Sequence, residues 1–579
     1  MDGGTNKIIA RMLNQIADML SIDDSGGIRF EVRAYRRAAL SIEALDEDLA
    51  DIYKENGVAG LMEIDGVGAG ISKSIEEYIN TGKMRKYEKL KRKYPVDFDT
   101  LTRIEGLGPK RVALLYEKLG VTDLKTLKRA IDSHRIHKLP GFGEKTERII
   151  ADSVSHLESD VGRLLLGDAM PEAERIREFL LKSGHAVRVE IAGSIRRMRG
   201  TVGDIDILAT SKRSAIVMKT FAGMDGVEEV VLSGPKKTTV KLKIGINCDL
   251  RVVEEKSFGT ALQYFTGNKF HNVKVRTIAI RKGLKLNEYG LFDNKGRNLA
   301  SGKEEGWIYE KLGMAPMPPE MREDRGEIDL ALSGKLPELV GIHDIKGDLH
   351  THTNDSDGMN GIDEMVSAAR SAGLSYIATT NHTKSLRVAN GMDERRFSDY
   401  FRMVDKLNEK LEGFRILKGA EIDILKGGEL DMDREMLCSL DCAVGSVHSY
   451  LSMEGNEMTK RIIKAIESGM INILGHPTGR ILLGREGYAV DIEKIADAAK
   501  SNNVALEINA SPERLDISDS NIMEVYETGV RFAINSDAHS TGHFKNLRYG
   551  VGTARRGWVE KGRVLNTMEL NKLIKILQR

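Results

Sequence analysis

Between Asn6 and His156 the apolar residues recur at helical spacing; Ile8, Ile9, Met12, Leu13, Ile16, Met19 and Leu20 set the pattern at the start. Three glycine pairs interrupt it, in Ile64–Gly68, Ile104–Gly108 and Leu139–Gly143, and each follows an apolar helix end and opens a new helix. Further on the period changes. Val189 to Ala192 reads as a short strand ending in a glycine turn, and Ile205 and Ile207 then alternate with Asp204 and Asp206. Another strand covers Ile246 to Val253. In the last third, short apolar strands alternate with helical patterns, which predicts a βα array. Its seven strands end near His350, Thr380, Gly419, Ser446, Gly475, Ile508 and Asn535. The predicted fold class is therefore multidomain, α followed by α/β.

A chain of 579 residues accommodates several domains, each with its own core. With 87 basic and 86 acidic residues, total charge argues neither for nor against nucleic acid. Three cysteines, Cys248, Cys438 and Cys442, exclude a disulfide framework and fit a reducing compartment. No window approaches a membrane span and the N-terminus lacks an apolar signal core, so a soluble, cytoplasmic protein is expected.

The stretch Gly193-Ser194-Ile195-Arg196-Arg197 offers a hydroxyl, backbone N–H groups and two arginines, a set suited to phosphate. After Gly203, Asp204 and Asp206 share one face of a strand. Two adjacent carboxylates repel, and a divalent cation relieves the repulsion. With Asp249 on the later strand, three carboxylates can hold two Mg²⁺ ions for in-line phosphoryl displacement. A lone D-x-D would be read as a surface strand edge; the phosphate-suited loop and the third aspartate favour function.

At the glycine pairs, close backbone approach and free N–H groups at the next helix N-terminus suit a DNA phosphate. The candidate contacts are Gly66, Gly68, Gly106, Gly108, Lys110, Gly141, Gly143 and Lys145. One such pair could be an ordinary helix cap; three copies followed by Lys110, Arg111 and Lys145 favour DNA. The basic run Lys83 to Tyr94 is a solvated helix face or a track for the phosphate backbone.

At the C-terminal ends of the seven strands stand His350, His352, Asp357, His382, Glu421, His448, His476, Asp537 and His539. Active sites of parallel α/β barrels lie at this end. A single buried histidine is more often structural, but six histidines and three carboxylates together point to Zn²⁺, Mn²⁺ or Fe²⁺. Arg480 is read either as a phosphate clamp or as a structural salt bridge.

The order G-S-x-R-R, G-D-x-D and a lone strand aspartate, followed by Tyr264-Phe265-Thr266-Gly267, resembles the palm and thumb of family X DNA polymerases. The glycine pairs resemble helix-hairpin-helix motifs, and the histidine array resembles the PHP domain, a trinuclear-metal phosphoesterase. These resemblances imply a helical N-terminal domain over 1–90, fingers-like helices over 91–157, a palm over 158–255, a thumb over 256–327, a linker over 328–345 and a (β/α)7 barrel over 346–579. Gly193, Ser194, Arg197 and Gly203 would then hold the nucleotide phosphates. Tyr264, Phe265 and Gly267 would meet the sugar, Asn272 the base edge, and Lys269 the nucleotide anion unless it is simply an exposed loop lysine. Arg33, Tyr35, Arg36 and Arg37 resemble a 5′-phosphate pocket, whereas Ser74 stands where the family's lyase domain has its Schiff-base lysine, with Lys73 beside it. In the barrel, His350, His352, Glu421 and Asp537 would hold one metal. Glu421 would bridge to a second with His448 and His476, and Asp357, His382 and His539 would hold the third. Asn381 departs from the family's aspartate and is expected to weaken support for His382.

The function expected is a monomeric gap-filling repair polymerase that takes gapped or primer–template DNA and dNTPs. Its Zn²⁺- or Mn²⁺-loaded barrel would trim 3′ ends or cleave abasic sites. Two alternatives stand beside it: a barrel that is a phosphatase of pyrophosphate or small esters, and a non-catalytic repair scaffold.

Overall fold

The computed structural model describes residues 4–22, 28–43, 45, 47–102, 104, 107–144, 146–148, 150–151, 154 and 162–578. Gly106 and Lys145 lie outside the described residues, as does the expected boundary at 157. The chain divides into two compact units, the first comprising Met1–Val161 with Gly484–Glu486 and the second Gly162–Leu483 with Gly487–Arg579.

Every described element of the first unit is a helix. Ile9, Leu13 and Ile16, from the first apolar stripe, meet Ile42, Leu61, Ile71 and Leu115 in one buried core. Gly68 caps the helix Ala69–Thr81 and Gly108 caps Pro109–Leu119; in both, extended backbone delivers the chain to the first turn and leaves its N–H groups outward. Gly66 has φ +76°, and a Cβ there would press within 2.9 Å of the Ala38 backbone, so only glycine permits the hairpin to approach the helix Ile28–Glu43.

The second unit opens with a five-stranded sheet: β1 (Arg188–Ile191), β2 (Asp204–Thr210), β3 (Val227–Ser233), β4 (Lys237–Leu242) and β5 (Asn247–Val253). Its spatial order is β1-β2-β5-β4-β3. β2 and β5 are parallel and central. One face of β2, with Ile205, Ile207 and Ala209, packs on Ile176 and Leu180 of the helix Leu166–Lys182. Leu208, on the opposite face, meets Phe258, Ala261 and Leu262 of the helix Phe258–Thr266. Asp204 and Asp206 alternate with the isoleucines and so share the Leu208 face. A smaller helical region follows, with Val275, Leu291, Ile308 and Tyr309 in its core.

The barrel contains seven parallel strands in sequence order: β6 (Gly347–Thr351), β7 (Tyr376–Thr379), β8 (Arg415–Asp423), β9 (Cys442–Ser446), β10 (Ile473–Leu474), β11 (Ala505–Asn509) and β12 (Phe532–Asn535). A parallel bridge from Thr351 to Ala538 brings the first and last strands together. Tyr376 and Ala378 join a cluster with Leu565, Leu573 and Leu577 from the C-terminal segment, while the intervening Ile377 packs with the surrounding helices. That alternation leaves the opposite end of the barrel for polar residues.

The sheet and the barrel share a core. Leu515 and Tyr549 from the barrel are buried among Leu166, Val189 and Ile205. Gly200 packs closely on this core: a Cβ there would stand 3.0 and 3.1 Å from the Cδ1 atoms of Leu482 and Leu515. The segment 328–345, expected as a linker, is instead divided between neighbours. Ile328 and Ala331 belong to the small helical core, and Val340 and Ile345 to the barrel core, because apolar residues at both ends have packed partners.

Candidate functional site

Asp206 and Asp249 face each other in the parallel register of β2 and β5, and Asp204 lies one pleat further along. Burial first, then the neighbouring Asp204 and Asp249, raises the Asp206 carboxyl to about 7. Such a cluster favours a bound cation. The third aspartate has two partners: Lys237 Nζ lies 2.5 Å from Asp249 Oδ2, and Thr239 Oγ1 donates to Oδ1 at 2.6 Å. Both come from β4, the adjacent strand, and motif spacing gave no sign of either. Gly193 has φ +60°, and a Cβ there would collide with Asp206 Oδ2. The phosphate-suited loop therefore lies directly against the carboxylates. Ser194 Oγ is buried without a hydrogen-bond partner, consistent with a ligand oxygen as acceptor.

Arg197 sits at the end of that loop. Its Nε donates to Glu323 Oε1 at 3.0 Å and its Nη1 to the Thr266 carbonyl at 2.5 Å. Thr266 ends the helix that carries Tyr264 and Phe265, and Gly267 leaves room for the guanidinium, which a Cβ would approach to 3.2 Å. Asn272 is turned inward rather than toward a base edge. Its Nδ2 donates to the Tyr264 carbonyl at 2.7 Å and its Oδ1 accepts from Gln263 at 2.8 Å, because a buried amide must be satisfied locally. Lys269 is exposed at the start of the helix Lys269–Arg281.

The arginines expected around a 5′-phosphate each have a protein partner of their own. Arg36 pairs with Asp18 at 3.2 Å, Arg37 with Asp65 at 2.5 Å, and Arg33 lies over the Phe30 ring. Tyr35 is buried in the helical core, where it meets the Lys86 ammonium. Nearby acidic residues have satisfied two of the cations. Ser74 Oγ donates to the Gly70 carbonyl on its own helix, and Arg111 donates to the Gly141 carbonyl, tying two hairpins together.

All nine barrel residues converge. Glu421 is central: Oε1 lies 3.0 Å from His476 Nε2 and 3.2 Å from His448 Nε2, while Oε2 lies 2.9 Å from His382 Nδ1 and 3.3 Å from His350 Nε2. Asp537 Oδ1 is 3.2 Å from His352 Nε2, and Asp357 Oδ2 is 3.4 Å from His382 Nε2 and 3.5 Å from His539 Nε2. Two ligands about 2.1 Å from a tetrahedral ion stand roughly 3.4 Å apart. The three longest of these separations match that value better than a direct hydrogen bond. His350 Nε2, both nitrogens of His352 and His382 Nδ1 are buried and lack a hydrogen-bond partner. Orphaned imidazole nitrogens aimed at carboxylates fit divalent metal ions. Burial alone lowers His382, but Glu421 and Asp357 raise it to about 10; burial, then His539 and His382, holds His352 at about 4. One pocket thus contains groups of opposite protonation tendency.

Outer partners fix these ligands. His350 Nδ1 meets Glu507 Oε1 at 2.7 Å, and Glu507 Oε2 accepts the His476 backbone N–H at 2.7 Å. His448 Nδ1 meets Asp423 Oδ1 at 2.8 Å. Glu507 and Asp423 were missed, although Asp423 lies two residues along its strand from Glu421 and so shares its face, and Glu507 stands on the strand that ends near Ile508. Asn381 does not hold His382; its Oδ1 accepts the Thr353 N–H at 2.8 Å and the Ser356 hydroxyl at 2.9 Å. Arg480 binds backbone carbonyls beside the shared core. It donates to the Arg514 carbonyl at 2.9 Å and to that of Leu515, fixing the loop that enters the shared core.

Comparison with known proteins bears on both sites. Family profiles match for a DNA polymerase beta thumb over residues 261–323, a PHP domain over 348–511, a helix-hairpin-helix domain over 4–84 and a SAM-like helix-hairpin-helix tandem over 98–153. A protein of Bacillus subtilis (strain 168) named "DNA polymerase/3'-5' exonuclease PolX" is 36% identical over 575 residues, covering 99% of both chains. The chain belongs to the family X DNA polymerases with a PHP domain. In this family X chain, the region matched as thumb follows the five-stranded sheet, and the barrel carries the PHP match. A "Probable phosphatase" of Thermoanaerobacter sp. (strain X514) is 32% identical over 231 residues, 38% of this chain and 89% of its own. One of Vibrio parahaemolyticus is 31% identical over 237 residues, 39% of this chain and 90% of its own. The polymerase and PHP domains imply divalent metals. Among the described residues, no helix is long and apolar enough to cross a membrane.

Proposed function

We propose that this family X enzyme fills short gaps in DNA at the palm and hydrolyses phosphodiesters at the PHP domain. Adjacency carries the palm reading: Asp206 lies opposite Asp249 and against Gly193, so the carboxylates and the phosphate loop meet at one point. Asp204, Asp206 and Asp249 would hold Mg²⁺ there, and the nine PHP residues would hold Zn²⁺ or Mn²⁺. When bound, such ions supply Lewis acidity, neutralising phosphate charge and lowering the pKa of a hydroxyl or water.

The protein's own groups orient the reactants. In the polymerase step the primer 3′ oxygen bonds to the α-phosphorus of a dNTP and pyrophosphate leaves. Ser194 Oγ, the loop amides from Gly193, the Gly203 amide and Arg197 would hold the β- and γ-phosphates as charge moves onto the leaving group. Tyr264, Phe265 and Gly267 flank the sugar. A base contact by Asn272 would draw on the second N–H of Nδ2, the first being donated to the Tyr264 carbonyl. The outward N–H groups after Gly68 and Gly108 grip DNA backbone without reading sequence. In the PHP pocket, Glu507 and Asp423 keep the histidines in ligand tautomers, while the buried walls limit water.

For the PHP domain, removal of 3′ nucleotides is the first reading and abasic-site cleavage the second of the same chemistry. The likeness to two proteins named as probable phosphatases favours one rival, hydrolysis of small esters. A 3′-recessed duplex and a small phosphate ester, assayed side by side with Mn²⁺ or Zn²⁺, separate them. Faster hydrolysis of the duplex supports the nuclease; turnover of the ester alone supports the phosphatase.

A further inference from the structure

Glu323 is the meeting point of three parts of the fold. It follows the short helical turn Pro319–Met321 at the end of the thumb. Its Oε1 accepts from Arg197 Nε of the palm at 3.0 Å and from Arg556 Nη1 of the PHP domain at 2.8 Å. Its Oε2 accepts from Asn268 Nδ2 at 2.9 Å, and Arg199 Nη1 stands 3.9 Å away. Arg556 ends the helix Leu547–Arg556, and its Nη1 also donates to the backbone carbonyl of Arg197 at 2.8 Å. On its other side, Arg556 Nη2 pairs with Asp519 at 2.7 Å, and Arg325 reaches the same carboxylate at 3.0 Å. Only 4% of the Arg556 side chain and 7% of the Glu323 side chain are exposed. These charges are thus shielded from solvent screening and fixed in direction.

The arrangement has a consequence for Arg197. Four arginines surround two carboxylates, so positive charge is in excess. Arg556 and Arg197 share one oxygen of Glu323, so that carboxylate cannot neutralise Arg197 alone. Nε and Nη1 of Arg197 are engaged, and among the described residues no hydrogen bond is made by Nη2. A guanidinium held at Nε and Nη1, with Nη2 left over, is pre-organised to give that nitrogen to a phosphate oxygen.

We propose that Arg556 of the PHP domain and Glu323 are positioning residues for nucleotide binding, fixing Arg197 so that the polymerase's triphosphate site is completed by the PHP domain. This rests on the reading of Arg197 as a triphosphate ligand. Without Arg556, Glu323 pairs with Arg197 one to one, which draws the arginine's charge away from the nucleotide. Without the Glu323 charge, Arg197 loses its clamp and faces Arg199 and Arg556 unshielded. Either change weakens dNTP binding while leaving the three aspartates intact.

The test is single-nucleotide incorporation on gapped DNA by the full chain, with KM for dNTP and kcat measured separately. The variants are Arg197→Ala, Glu323→Gln, Arg556→Gln and Arg556→Lys, with Arg556→Gln also made in the Arg197→Ala background. Hydrolysis of bis-p-nitrophenyl phosphate by the PHP domain reports folding. The expected result is a KM for dNTP raised about 10-fold by Arg556→Gln and by Glu323→Gln, with kcat and KM for DNA little changed. Arg556→Lys restores part of the loss. Arg556→Gln adds nothing once Arg197 is gone, a coupling that general loosening of the fold would not produce. If Arg556→Gln does not fold, Glu323→Gln at the shared carboxylate decides. A raised KM in Arg197→Ala with unchanged KM in the other variants overturns the proposal alone. An unchanged KM in Arg197→Ala removes the triphosphate reading and the proposal with it.

Discussion

Asp206 and Asp249 are paired residues on two parallel strands of the five-stranded sheet, and they share one side of it with Asp204. Removing the Asp206 charge as Asp206→Asn should cost several kcal/mol of transition-state stabilisation, a fall of about 10³-fold in nucleotide incorporation. PHP hydrolysis should be unchanged, since its ligands come from other strands. Primer extension and ester hydrolysis measured on one preparation check both halves of that statement.

Gly193 offers a more local probe. Its φ of +60° and the collision of an added Cβ with Asp206 Oδ2 mean that Gly193→Ala must move the loop or the carboxylate. The destabilisation expected is about 1–3 kcal/mol. Synthesis should fall much further than thermal stability, because a shift of about 1 Å at the reacting centre costs about 10²-fold. A variant with normal synthesis would show that loop and aspartate do not act together.

In the PHP domain, Glu507 touches no expected metal position itself but holds His350 and the His476 backbone. Glu507→Gln should lower metal affinity or hydrolysis by about 10–100-fold and leave synthesis intact. Metal content after dialysis, read by elemental analysis against the unaltered protein, is the direct check. Glu421→Gln should empty more of the site, since both Glu421 oxygens face histidines.

Glu323 makes an acid-stability prediction. Burial alone would raise its carboxyl, but Arg556 and Arg197 hold it at about 2. Arg199 and the Asn268 amide are the other groups facing it. A carboxylate depressed in the folded state stabilises the fold above its unfolded value, near 4.5, and loses that contribution as pH falls toward 2. Denaturant midpoints followed from pH 5 downward should therefore decline, and Glu323→Gln should flatten that part of the decline. An equal slope in both proteins would contradict the pairing.

Much of this site was legible in sequence because strand alternation and strand ends are short-range signals. Asp204 and Asp206 needed only the period of a strand, and the PHP ligands needed only a barrel with its polar residues at one end. Groups that depend on pairing between distant segments were not legible. Lys237 reaches Asp249 only through the order of strands in the sheet, and Arg556 reaches Glu323 only after the barrel packs on the palm. Asn272, Arg36, Arg37 and Arg480 show the converse limit. Their residue types suit ligands, but nearby carbonyls and carboxylates engage them. Segment 328–345 reads as a connection because it lies between two recognisable motif sets, yet four of its apolar residues are buried in two different cores.

The central claim is that one chain builds and breaks phosphodiester bonds at two separate metal sites. The most direct measurement is a time course on one gapped, 3′-labelled-nucleotide-extendable substrate, with and without dNTPs, in Mg²⁺ and in Mn²⁺. It compares Asp204→Ala with Asp206→Ala against His350→Ala with His352→Ala. The account predicts that the first pair degrades DNA without extending it and that the second extends it without degrading it. Extension by the palm pair, or undiminished degradation by the PHP pair, would contradict it.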